Sequence, residues 1–66
     1  MWKKYSKTGV QEMRSYVRGE DMSGISISTG DVLEEGGMVA RNSKNYEDQW
    51  YVAKVFFNEN YEPFEW

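Results

Sequence analysis

Five consecutive residues, Gln49-Trp50-Tyr51-Val52-Ala53, constrain this chain more than any other stretch. Two adjacent aromatics and a β-branched residue suit a half-buried pleated surface. Period two sends Trp50 and Val52 to one face and Gln49, Tyr51 and Ala53 to the other. The pattern then changes. Phe57 and Tyr61 lie four apart with Phe56 adjacent, the spacing of a helical face that begins near Lys54. Glu62 precedes Pro63, and the residue before a proline is driven out of the α region, so the helix ends near Tyr61. Upstream, Gly36-Gly37 and Asn42-Ser43-Lys44-Asn45 bracket the apolar run Met38-Val39-Ala40-Arg41, which reads as a second strand. The sequence predicts strand, polar loop (Asn42 to Asp48), strand and helix in succession.

The rest of the chain has to supplement that unit. Sixty-six residues make one domain, residues 1–66, with a radius of gyration of roughly 11 Å, and bury only about 60% of the unfolded surface. No cysteine is present, so neither a disulfide framework nor a thiolate metal site can reinforce the core. Aromatic side chains, 17% of the chain, must do it instead. No apolar run approaches the ~20 residues of a membrane span, and no signal-peptide core follows Met1. The expectation is a soluble, cytoplasmic protein.

Residues 1–9 read as an extended basic arm, with Trp2 and Tyr5 arguing for some docking on the body. Residues 10–17 place Val10, Met13, Tyr16 and Val17 at spacings that fit a helix, but their β-branched and aromatic character favours a strand. A turn-rich loop follows. Gly24-Ile25-Ser26-Ile27-Ser28 then alternates, with both isoleucines on one face. Asp31 can cap one helical turn, Val32-Leu33-Glu34-Glu35, with Gly36 supplying a left-handed exit. The fold class expected is α+β: a small antiparallel sheet of three or four strands (about 10–17, 24–28, 37–42 and 49–53) with one short helix near 54–61 packed on it. Ile25, Ile27, Met38, Ala40, Trp50, Val52, Phe57 and Tyr61 are the expected core. Residues 62–66 form a tail, in which Phe64 and Trp66 either fold back as a lid or stand out as anchors.

The chemistry of catalysis is sparse. There is no histidine and no cysteine, so the commonest general base and the softest nucleophile are missing. No serine sits in a nucleophile elbow. The carboxylate pairs Glu20-Asp21, Glu34-Glu35 and Glu47-Asp48 fall in loops, where they are ordinarily solvated. The calcium-loop spacing is met nowhere. The sequence predicts no enzyme activity, no cofactor and no metal.

Charge is divided unevenly. Residues 1–18 hold Lys3, Lys4, Lys7, Arg14 and Arg18 against Glu12 alone, while the remainder holds three basic and ten acidic residues. Such a split marks either an interaction arm or a basic first strand lying beside acidic neighbours. As an arm, Trp2, Lys3, Lys4, Tyr5 and Lys7 interleave aromatics with lysines, as a nucleic-acid binder requires. The acidic remainder opposes that. The other expectation is contact with a protein that has a basic surface. Glu20, Asp21, Glu34, Glu35, Glu47 and Asp48 would steer it, and Tyr46 and Trp66 would anchor it. Opposite charge at the two ends also allows a head-to-tail homodimer.

The segments Gly36-Gly37-Met38-Val39-Ala40-Arg41-Asn42, Asp48-Gln49-Trp50-Tyr51-Val52-Ala53-Lys54, Phe56-Phe57 and Asn60-Tyr61-Glu62 together resemble a group of short phage and prophage proteins. Met13-Arg14-Ser15-Tyr16 and Arg18-Gly19-Glu20-Asp21-Met22-Ser23-Gly24-Ile25-Ser26 extend that likeness over most of the chain. A looser likeness is to the small phage domain named for its Pro-Gly-Asp-Tyr-Leu motif, in whose place this chain has Gly36-Gly37-Met38-Val39. The resemblance implies a phage origin and carries no catalytic residues. It implies an accessory protein that binds and modulates a host protein, including components of antiviral defence, ahead of a minor virion component.

Overall fold

The computed structural model describes residues 2–7 and 9–63. Six strands and one helix follow one another: β1 (Lys3–Ser6), β2 (Val10–Ser15), β3 (Ile25–Ser26), β4 (Met38–Asn42), β5 (Asn45–Val52), α1 (Lys54–Asn60) and β6 (Glu62–Pro63). They form one α+β sheet in the order β3-β5-β4-β2-β1-β6. Every pairing is antiparallel except β3 on β5, so the sheet is mixed and has more strands than the three or four expected. The Cα radius of gyration is 11.3 Å.

The additional strands explain the basic N-terminus. Residues 3–6 are not an arm: β1 pairs with β2 on one side (Lys3 with Met13, Tyr5 with Gln11) and with β6 on the other (Ser6 with Glu62). Its neighbours each bring one acidic residue beside this basic strand, Glu12 opposite Lys4 and Glu62 opposite Ser6. Pro63 sits on the outermost described strand, the place in a sheet that tolerates a residue without an N–H.

Two crossovers cover opposite faces. Because β2 and β5 are each antiparallel to β4, β2 and β3 point the same way. Residues 16–24 therefore pass over β4 and β5 to join them, which places Glu20 against Arg14 and Tyr16 against Tyr51. On the other face α1 carries the chain from β5 across β4, β2 and β1 to β6. This explains why Met38, Val39 and Ala40 are all buried in succession; a strand covered on both faces needs no polar alternation.

The core on the helical face is Met13, Met38, Ala40 and Val52, with Tyr5, Trp50, Phe57 and Tyr61 partly buried around it. Tyr5 meets Phe57 edge-on with centroids 5.2 Å apart, and Phe57 stacks on Tyr61 at 5.8 Å. Two members of the expected core do not belong there. The register pairs Ser26 with Trp50 and Ile25 with Gln49, so Ile25 falls on the face away from the helix, and Ile27 is exposed. Val39, Tyr51 and Tyr16 make a second buried group on that far face. There Tyr51 donates its hydroxyl proton to Val32 O at 2.7 Å.

Local geometry departs from expectation at two loops. No helical turn follows Asp31; instead the Gly37 N–H closes a turn onto Glu34 O at 3.0 Å, with Gly36 at φ 96°. The left-handed glycine exit is present without the helix it was expected to end. The loop expected over Asn42 to Asp48 is a two-residue turn at Ser43-Lys44, held by the Lys44 N–H on Asn42 Oδ1 at 2.9 Å. The strand resumes at Asn45, but the pairing jumps from Asn42–Asn45 to Arg41–Gln49, so residues 46–48 bulge out. The helix ends as expected: Tyr61 is already extended, at φ −121° and ψ 147°.

Candidate functional site

A cleft of about 250 Å³ opens between α1 and the edge of the sheet, lined by Ser28, Asp31, Trp50, Tyr51, Val52, Ala53, Phe56 and Tyr61. Its construction follows from the elements. Trp50 projects from the helical face of β5 opposite two-residue β3, whose Ser26 is too small to cover an indole. Phe56 and Phe57 are neighbours on a seven-residue helix, and adjacent helical positions cannot face one way. Phe57 therefore takes the core, and Phe56 stays 46% exposed beside Val55 at 62%. The Ser28–Asp31 turn, closed by the Asp31 N–H on Ser28 O at 3.1 Å, forms the opposite wall.

Among the described residues, no hydrogen bond or ion pair engages the Asp31 carboxylate or the Trp50 indole N–H, and no Lys or Arg lines the cleft. Phe56 already holds one cation from outside: Lys7 Nζ lies 4.8 Å from its ring centroid.

The residues expected to contact a protein do not form one patch. Glu20 is tied to Arg14 at 2.8 Å, and its other oxygen, Oε1, is buried with no hydrogen-bond partner among the described residues. Asp21 is exposed and accepts bonds from the Ser23 hydroxyl and N–H, which hold its carboxyl below the ordinary value of 3.8. Glu34 and Glu35 sit in the turn before β4, Glu34 half-buried and Glu35 exposed. Glu47 and Asp48 are exposed in the bulge, near Asn42, whose amide nitrogen lies 3.4 Å from Asp48. Tyr46 is 53% exposed and carries the Arg41 guanidinium 3.7 Å from its ring centroid. Trp66, like Phe64, lies outside the described residues.

The expected nucleic-acid set is split by the pleat of β1. Tyr5 packs in the core and Lys7 is over Phe56. Trp2 lies on the opposite face, 4.3 Å from the Arg41 guanidinium and 5.5 Å from that of Arg14. Trp2, Lys3, Lys4, Glu12 and Arg41 line a separate hollow of about 210 Å³, in which Glu12 pairs with Arg41 at 2.7 Å. Arg41 is thus flanked by Trp2, Tyr46 and Glu12, a group that joins β1, β2 and the bulge of β5.

In comparisons with known proteins, no family model, no curated protein and no solved structure matches this chain. Among the described residues no helix is long and apolar enough to cross a membrane, and no three His, Cys, Asp or Glu side chains converge as a metal would require.

Proposed function

We propose that this protein is a non-catalytic phage accessory protein that binds and modulates a host protein, using the cleft beside α1 as its main contact. One observation carries the reading. Phe56 is 46% exposed and lines a cleft with Trp50 and Tyr61, a cluster of rings of the kind that anchors a partner. Ile27, Val32 and Leu33 are also exposed, on the chain segment that carries Ser28 and Asp31. The phage-like sequence segments supply the host as the source of that partner.

The test is affinity capture from host lysate with the full chain and its Phe56→Ser variant side by side. Enrichment of one host protein by the parent and its loss with the variant is the expected result. Equal capture by both places the contact elsewhere. The competing reading, nucleic-acid binding, draws on the hollow between Trp2, Lys3 and Lys4. It predicts co-purifying nucleic acid whose retention falls steeply with salt and survives Phe56→Ser.

A further inference from the structure

Given that the cleft is where this protein binds its partner, we infer that its occupant is an arginine side chain of that partner, taken between the aromatic walls with its guanidinium directed at Asp31. Three properties of the site select this chemistry. Trp50, Phe56 and Tyr61 contribute three aromatic rings to one cleft, and rings attract cations, with tryptophan the best and arginine the more frequent partner. Asp31 contributes a carboxylate that no described residue pairs, and no basic side chain lines the cleft to neutralise it. A planar guanidinium stacks flat on a ring while its edge presents paired N–H donors to a carboxylate, whereas a compact, strongly hydrated ammonium offers neither the stacking plane nor the paired fork.

Among the described residues the molecule already sets its own cations against rings. Lys7 lies over Phe56, and on the far face Arg41 lies against Trp2 and Tyr46 while its Nε donates to Glu12 at 2.7 Å. That second site has the aromatic-plus-carboxylate composition of the cleft with its arginine in place. The cleft has the rings and the acid, with Lys7 on the Phe56 ring and, among the described residues, no cation paired to Asp31.

The experiment uses the isotope-labelled full chain and three synthetic pentapeptides that are identical except for a central Arg, Lys or Leu. Binding is followed through the amide and indole N–H resonances. The Arg peptide should shift the Trp50 indole N–H and the Asp31 amide, and bind about five-fold more tightly than the Lys peptide. Asp31→Asn should weaken the Arg peptide about five-fold, the upper end for a solvent-exposed pair. It should leave the Leu peptide unchanged. Trp50→Phe keeps a ring and should weaken binding less than Phe56→Ser does.

Equal binding of the Arg and Leu peptides overturns the inference, as do shifts centred on Trp2 and Arg41. Peptide-independent shifts that grow with protein concentration would make a second copy of the chain the occupant, and overturn it too. The proposed function fails separately. If the Arg peptide leaves the cleft silent while host-protein capture still depends on Phe56, only the arginine assignment falls. If capture is also insensitive to Phe56, the binding reading falls with it.

Discussion

Two glycines and one serine show how single residues set the terms for the loops. An added Cβ at Gly37 would lie 2.1 Å from the Tyr51 hydroxyl oxygen, and one at Gly36 would lie 2.9 Å from the Lys54 side chain at a φ of 96°. Lys54 can swing away, but Tyr51 is buried and its hydroxyl is bonded to Val32 O. Gly37→Ala should therefore destabilise the fold by roughly 1–3 kcal/mol, as overpacking does. Adding Tyr51→Phe should recover part of that loss, a coupling that a double-mutant cycle in denaturant would read. In the crossover of residues 16–24, the Ser23 hydroxyl and N–H stabilise the ionised Asp21 carboxylate. A carboxyl depressed in the folded state adds stability above its unfolded pKa and loses it as pH falls through the folded value. Ser23→Ala should move the Asp21 titration upward toward 3.8, measured by its side-chain carbonyl shift. An unmoved titration would mean that the hydroxyl is not the cause.

At the scale of elements, β1 decides whether the N-terminus is an accessory or a part of the fold. It lies between β2 and β6 and contributes Tyr5 to the packing on Phe57. Removing residues 1–7 should thus abolish the cooperative thermal transition rather than release a dispensable arm. A truncated protein that melts like the parent would restore the arm. Met13, fully buried on β2, should cost about 2–5 kcal/mol on replacement by Ala, whereas Ile27→Ala should leave the melting temperature nearly unchanged. The contrast marks what local pattern can reveal. Trp50, Val52, Phe57, Tyr61 and the helix stop at Pro63 are legible because their spacing is local and periodic. The face taken by Ile25 is set by a parallel register with β5, a pairing between residues about 24 apart that alternation cannot fix. β1 and β6 are short and polar, and only their pairing makes them strands. The cleft was hidden for the same reason, since Ser28, Asp31, Trp50, Phe56 and Tyr61 come from three separate segments. The surplus ring in Phe56-Phe57 was its one local trace.

Across the whole molecule, folding redistributes the charge that the sequence divides. Arg14 and Arg41 are consumed by Glu20 and Glu12, which leaves Asp21, Glu35, Glu47, Asp48, Glu59 and Glu62 among the exposed acids of a chain with net charge −3. Lys3, Lys7, Arg18, Lys44 and Lys54 are exposed as well, so the far field is acidic without being uniform. A field of that sign draws a basic partner in from beyond contact range, while the apolar cleft governs how long the partner stays. The two roles separate kinetically. Replacing both Glu47 and Asp48 with Lys should slow association with the captured host protein and flatten its dependence on ionic strength. The dissociation rate should stay nearly constant, because neither residue lines the cleft. Phe56→Ser should do the reverse, raising the dissociation rate with little effect on association. Both variants should keep the parent's melting temperature, since all three side chains are exposed. Faster association on charge reversal would point to an acidic partner such as nucleic acid, and would replace the host-protein reading with the one built on Trp2, Lys3 and Lys4.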